Sequence, residues 1–131
     1  MTTFSLETNW LDEPGLNVRV LRRNLPDTAK AKELLVRFKP LLSRELEGIR
    51  RELAKHDLGK VCLHTHRIRS GSLYLGIESV GFPAAELERL LDAKAGENDI
   101  QTAWRVLYEA CQRYLEQDDA ALCSLLDDTT A

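Results

Sequence analysis

The chain has 131 residues, 44% hydrophobic and 30% charged, with only 7 glycines and 4 prolines, which fits one buried core and excludes disordered, collagen-like and turn-rich all-β chains. Its 18 basic and 21 acidic residues leave a net charge of −3, so no overall positive field exists to hold nucleic acid or an anionic membrane surface. Cys62, Cys111 and Cys123 are odd in number and widely spaced, the pattern of reduced thiols rather than of a disulfide framework or zinc knuckle.

Residues 1–27 read as an N-terminal arm, with Pro14-Gly15 as a turn signal and Pro26-Asp27-Thr28 as a break that caps a helix. Inside the arm Leu16, Val18 and Val20 alternate with polar residues, but a single strand without a partner is not stable. Irregular structure, or a short helix packed on the core, is expected there. From Thr28 the residues Leu34, Phe38, Leu41, Leu42, Leu46, Ile49 and Leu53 recur mostly at steps of three or four and predict a long helix ending near His56-Asp57. Pro40 falls inside it, so a kink is expected in preference to a restart.

A second helix is predicted over 58–75, turning Leu58, Val61, Cys62, Ile68, Ser72 and Leu75 toward the core, with Gly76 as its terminator. Pro83 resembles the start of a third, with Leu87, Leu90 and Leu91 apolar and a bend at Gly81 if Ile77 to Val80 are also helical. Asn98 or Asp99 is expected to cap a fourth, carrying Ile100, Trp104, Leu107, Cys111 and Leu115, and Asp118-Asp119 to open a short last helix. Consecutive amphipathic helices with short connections pack most simply as antiparallel neighbours. The expected fold is therefore all-α, an up-and-down antiparallel four-helix bundle over 28–131, with the N-terminal arm and the short C-terminal helix added.

Chemistry concentrates in the run from His64 to Gly76, which holds two of the three histidines. At about 100° per residue His66 lies about 200° from both Ile68 and His64, facing away from the apolar stripe. Its neighbours one turn on are Arg69 and Ser70, with Arg67 beside it and Cys62 and Leu63 one turn back. An exposed imidazole is a nitrogen nucleophile that titrates near neutrality, and a guanidinium can neutralise charge on a phosphoryl group held at that nitrogen. Ser70 and Gly71 keep the approach open.

The run His66-Arg67-Ile68-Arg69-Ser70-Gly71-Ser72, followed by Gly76, resembles the signature of histidine-containing phosphotransfer (HPt) domains of bacterial phosphorelays. Phe38 on the preceding helix and Leu87-Glu88 on the following one fall where that family commonly has an aromatic and a Leu-Glu pair. The resemblance implies a four-helix phosphoryl carrier, not an independent catalyst. In it His66 accepts a phosphoryl group from a receiver-domain aspartyl phosphate, Arg69 assists electrostatically, and Leu63, Arg67, Ser70 and Leu73 belong to the binding patch. It further implies response-regulator receiver domains and a hybrid sensor kinase as partners, with no cofactor of its own and Mg²⁺ expected on the receiver. One departure stands out: Ser70 occupies the place of the family's usual Gly, with Gly at 71. Its hydroxyl can hydrogen-bond the phosphoryl group or crowd the receiver.

Competing uses of these residues are weaker. An i, i+2 pair diverges on a helix, so His64 and His66 do not make a metal site, and Cys62 with His66 supplies only two ligands. His56 beside Asp57 suits a helix end. Arg19, Arg22 and Arg23, and the basic residues interspersed with Glu45, Glu47 and Glu52, read as solvated mixed-charge surface rather than a nucleic-acid site. Trp104, Tyr108 and Tyr114 read as packing. The alternative from another class is a phosphorylation-independent module that binds a receiver or kinase as adaptor or inhibitor. With no basic start or apolar run in Met1 to Trp10 and no window near the ~18 apolar residues of a membrane span, a cytoplasmic monomer without membrane contact is expected.

Overall fold

Residues 15–127 are described in a computed structural model, and the turn expected at Pro14 and the rest of the arm before Gly15 lie outside them. Every regular element in that range is a helix: α1 (Val18–Asn24), α2 (Thr28–Ala54), α3 (Leu58–Tyr74), α4 (Glu78–Asp92), α5 (Glu97–Glu116) and α6 (Asp119–Asp127). Short polar side chains open four of them by accepting a hydrogen bond from an otherwise orphaned N–H. Asn17 caps Val20, Asp27 caps Lys30 and Asp57 caps Lys60, each at 3.2 Å, and Asp118 caps Ala121 at 3.1 Å.

Two boundaries differ from the sequence expectation. Helix α4 starts at Glu78 and runs through Pro83 rather than starting there; Ile77, which caps it, is pinned by the turn described below. Helix α5 starts at Glu97 with Gly96 at its cap, ahead of Asn98 and Asp99, because an extended glycine can enter the helix without a side-chain cap. Helix α2 is unbroken through Pro40, so the helix does not restart there. Pro40 is exposed, which leaves the carbonyl that loses its donor, that of Val36, able to turn toward water.

The arm is not irregular where it is described. Its β-like alternation contributes a single antiparallel bridge, Leu16 to Ile77, and then α1 begins. The Asn17 N–H donates to the Gly76 carbonyl at 2.6 Å, and the Glu78 and Ser79 N–H groups donate to Gly15 at 2.9 and 3.2 Å. Both glycines have left-handed φ, 70° and 75°, and a Cβ on Gly76 would come within 2.4 Å of the Asn17 oxygen. This clasp holds α1 against the α3–α4 turn, with Leu21 wholly buried in the core.

The main core lies among α2, α3, α4 and α5, each of which is a spatial neighbour of the next. On the α2–α3 seam Phe38 covers Gly71 and His64 covers Gly48, so residue numbers rise on one helix as they fall on the other. The α3–α4 seam behaves alike: Cys62 meets Asp92, His66 meets Glu88 and Leu73 covers Gly81. Tyr114 of α5 closes back on α2, edge-on to Phe38 at 6.2 Å, its hydroxyl donating to the buried Leu35 carbonyl at 2.7 Å. Helix α6 buries Leu122 and Leu126 and is tied to α2 by Lys32–Asp127 at 2.8 Å and Lys39–Asp119 at 2.6 Å. No helix among the described residues is long and apolar enough to cross a membrane.

Candidate functional site

Helix α3 buries Val61, Thr65, Ile68 and Ser72, a stripe at steps of four, three and four. Its two buried hydroxyls are satisfied locally, Thr65 donating to the Val61 carbonyl at 2.7 Å and Ser72 to that of Ile68 at 2.6 Å. That stripe fixes the opposite phase for His66, whose side chain is 48% exposed, as the sequence predicts.

Three side chains surround the imidazole. Glu88 of α4, largely buried, places Oε2 at 2.9 Å from Nδ1. Arg69 Nη2 lies 3.1 Å from the same Nδ1, and Arg69 Nε lies 2.6 Å from the other Glu88 oxygen. The Nε–H is not aimed at that oxygen, so the two buried atoms attract as an ion pair without making a hydrogen bond. Ser70 Oγ stands 3.3 Å from Nε2.

These contacts assign the proton. In the ring plane Nδ1 offers one hydrogen or one lone pair, so it cannot donate to Glu88 and accept from Arg69 together. The carboxylate is the nearer group and accepts only, which puts the hydrogen on Nδ1. In the neutral ring the lone pair then sits on Nε2, beside the Ser70 hydroxyl. Arg69 is left as a cation beside the ring, held by Glu88.

The other predicted residues divide. Leu63 and Arg67 are exposed, one turn before His66 and next to it, and Arg67 leans 3.8 Å from Glu45. Leu73 lies two turns beyond His66 but is half-buried against Gly81, and the adjacent exposed Phe82 of α4 adds apolar surface absent from the sequence reading. His64 turns to the other seam, Nδ1 at 2.6 Å from Glu45 Oε1 and ring over Gly48, so the two histidines do not converge. Cys62 points at Asp92, and burial first, then that carboxylate, pushes its thiol pKa up. Among the described residues no three His, Cys, Asp or Glu side chains gather as a metal site.

Glu88 is the site residue that sequence reasoning left without a role. Its signal lay in the Leu87-Glu88 pair, where Leu87 is wholly buried and turns the next residue toward the α3 surface. The structure also explains the displaced glycine. A Cβ at Gly71 would come within 2.8 Å of the Phe38 ring, whereas Ser70 is exposed beside His66, so close helix packing requires glycine at 71 and not at 70.

The helical scaffold thus displays one half-exposed imidazole on the outer face of α3, supported by Glu88 and Arg69. The chain belongs to the Hpt domain family, whose profile matches residues 33–121, more than half its length. That membership carries a phosphotransfer role in two-component signalling, with receiver domains and kinases as the interacting classes. No curated protein and no solved structure matches the chain.

Proposed function

We propose that this protein is a phosphorelay intermediate: His66 takes a phosphoryl group from a receiver-domain aspartyl phosphate and passes it to a second receiver. The observation that carries the reading is the Glu88–His66 contact at 2.9 Å, which in the neutral ring places the lone pair on Nε2. Helices α2 to α5 serve as an up-and-down antiparallel four-helix bundle, supported by the opposed residue order along the two α3 seams.

In the forward step the Nε2 lone pair forms the N–P bond as the P–O bond to the donor carboxylate breaks, its electron pair leaving with that carboxylate. Nδ1 keeps its proton throughout. The phosphorylated ring is then cationic and lies against the Glu88 carboxylate, and in the return step it departs as neutral imidazole rather than imidazolate. Arg69, held by Glu88 on the Nδ1 side of the ring, adds positive charge to the field at the phosphoryl group without bonding it directly. The receiver supplies its own carboxylates and Mg²⁺. Leu63, Arg67, Ser70 and Leu73 line the docking patch around His66, and the protein acts as a cytoplasmic monomer between a hybrid sensor kinase and a response regulator.

The test mixes wild type and His66→Ala with a panel of phosphorylated receiver domains and follows intact mass and acid lability. Acid-labile phosphate on wild type alone supports the relay. Binding of receivers by both proteins, with phosphate on neither, replaces it with the adaptor reading.

A further inference from the structure

Ser70 is exposed, and its hydroxyl meets His66 Nε2. The assignment above makes that nitrogen the reacting atom. We propose, resting on the phosphoryl-carrier reading, that Ser70 holds the transferred group: its hydroxyl turns from Nε2 to a phosphoryl oxygen once the N–P bond forms, and so biases this protein toward storing phosphate.

The argument is differential. In the free protein the 3.3 Å contact is longer than a good O–H hydrogen bond and holds the lone pair weakly. A phosphoryl oxygen on Nε2 brings a charged acceptor within reach of the same donor, with no movement of the helix, and hydrogen bonds to charged acceptors are roughly twice as strong as neutral ones. The hydroxyl therefore favours the phosphorylated state over the free one. In a loose transition state, whose transferring group has partly left the ring, the hydroxyl of a residue fixed on α3 follows the group less well, so escape to water or to a receiver slows. Arg69 does not duplicate this, because Glu88 draws its guanidinium to the Nδ1 side of the ring.

The probe is phosphoramidate, a small donor whose nitrogen is protonated to –NH₃⁺ at neutral pH; its P–N bond breaks as Nε2 attacks, the departing nitrogen keeping that electron pair and leaving as ammonia. Wild type, Ser70→Ala and Ser70→Thr are loaded with it, with His66→Ala as control, and loss of phosphohistidine is followed at neutral pH by ³¹P spectroscopy; the loaded proteins are then equilibrated with one receiver. Ser70→Ala is expected to lose phosphate ~5-fold faster and to shift the partition ~5-fold toward the receiver, the size of one exposed charge-assisted hydrogen bond, while Ser70→Thr stays within twofold of wild type. A Ser70→Ala protein that matches wild type in both readings overturns the proposal while leaving the carrier intact. Wild type that takes no phosphate from either donor overturns the carrier reading and the proposal with it.

Discussion

At the scale of single residues, the chemistry rests on which imidazole nitrogen carries hydrogen. Glu88→Gln keeps a neutral acceptor near Nδ1 but removes the charge that favours one tautomer and steadies the phosphorylated ring. A charge-assisted hydrogen bond is worth about 1.5–3 kcal/mol, so phosphoryl transfer onto His66 is expected to fall ~10-fold or more with secondary structure unchanged. A stopped-flow rate equal to wild type would remove Glu88 from the mechanism. Cys111 offers a contrast. Wholly buried, with its thiol pKa pushed far up by burial, it should resist alkylation at pH 8 in the folded protein, while Cys123 and Cys62, both partly exposed, react first; mass mapping after brief treatment reads the order.

At the scale of elements, glycines set how closely helices approach. Gly71→Ala would place a methyl 2.8 Å from the Phe38 ring, and a rigid ring between two helices gives way only by repacking. The expected cost is about 1–3 kcal/mol, seen as a lower urea midpoint with unchanged slope. Ser70→Ala, one position away and exposed, should leave that midpoint within about 0.5 kcal/mol of wild type. The pair also shows what could be read from the sequence. The 3.6-residue period located α2, α3 and α5 and predicted that His66 faces out, since both facts depend on positions along one helix. The true start of α4 was hidden because Pro83 is a strong local signal, whereas Glu78 and Ser79 are set by hydrogen bonds from their N–H groups to the Gly15 carbonyl, a contact across more than sixty positions. The same limit concealed Glu88, whose distance from His66 depends on how two helices cross, and the small Gly48 and Gly71 gaps that set α2 on α3.

At the scale of the whole molecule, buried groups that ionise late couple stability to alkaline pH. Burial pushes Cys111 and Tyr114 well above their ordinary values of 9.0 and 10.0. In the unfolded chain both lose protons near those ordinary values; in the folded protein both keep them. Stability from these groups is thus fully present below pH 9 and falls as pH rises, by up to about 1.4 kcal/mol per pH unit for each group. Urea unfolding at pH 7.5, 9 and 10.5 should show a flat segment followed by this decline, and a stability that rises above pH 9 would contradict the burial of both. Tyr114→Phe, which leaves the buried Leu35 carbonyl without its 2.7 Å donor, is expected to cost about 1–2 kcal/mol at neutral pH and to make the decline shallower above pH 10.

The central claim joins one residue, one nitrogen and one partner class. Long-range ¹H–¹⁵N and ³¹P spectra of the ¹⁵N-labelled protein, recorded before and after phosphorylation by a receiver, read all three together. The expected spectra show a His66 ring protonated at Nδ1 with Nε2 free, then phosphorus bonded to Nε2. Phosphorus on Nδ1, on another residue, or on none would contradict it.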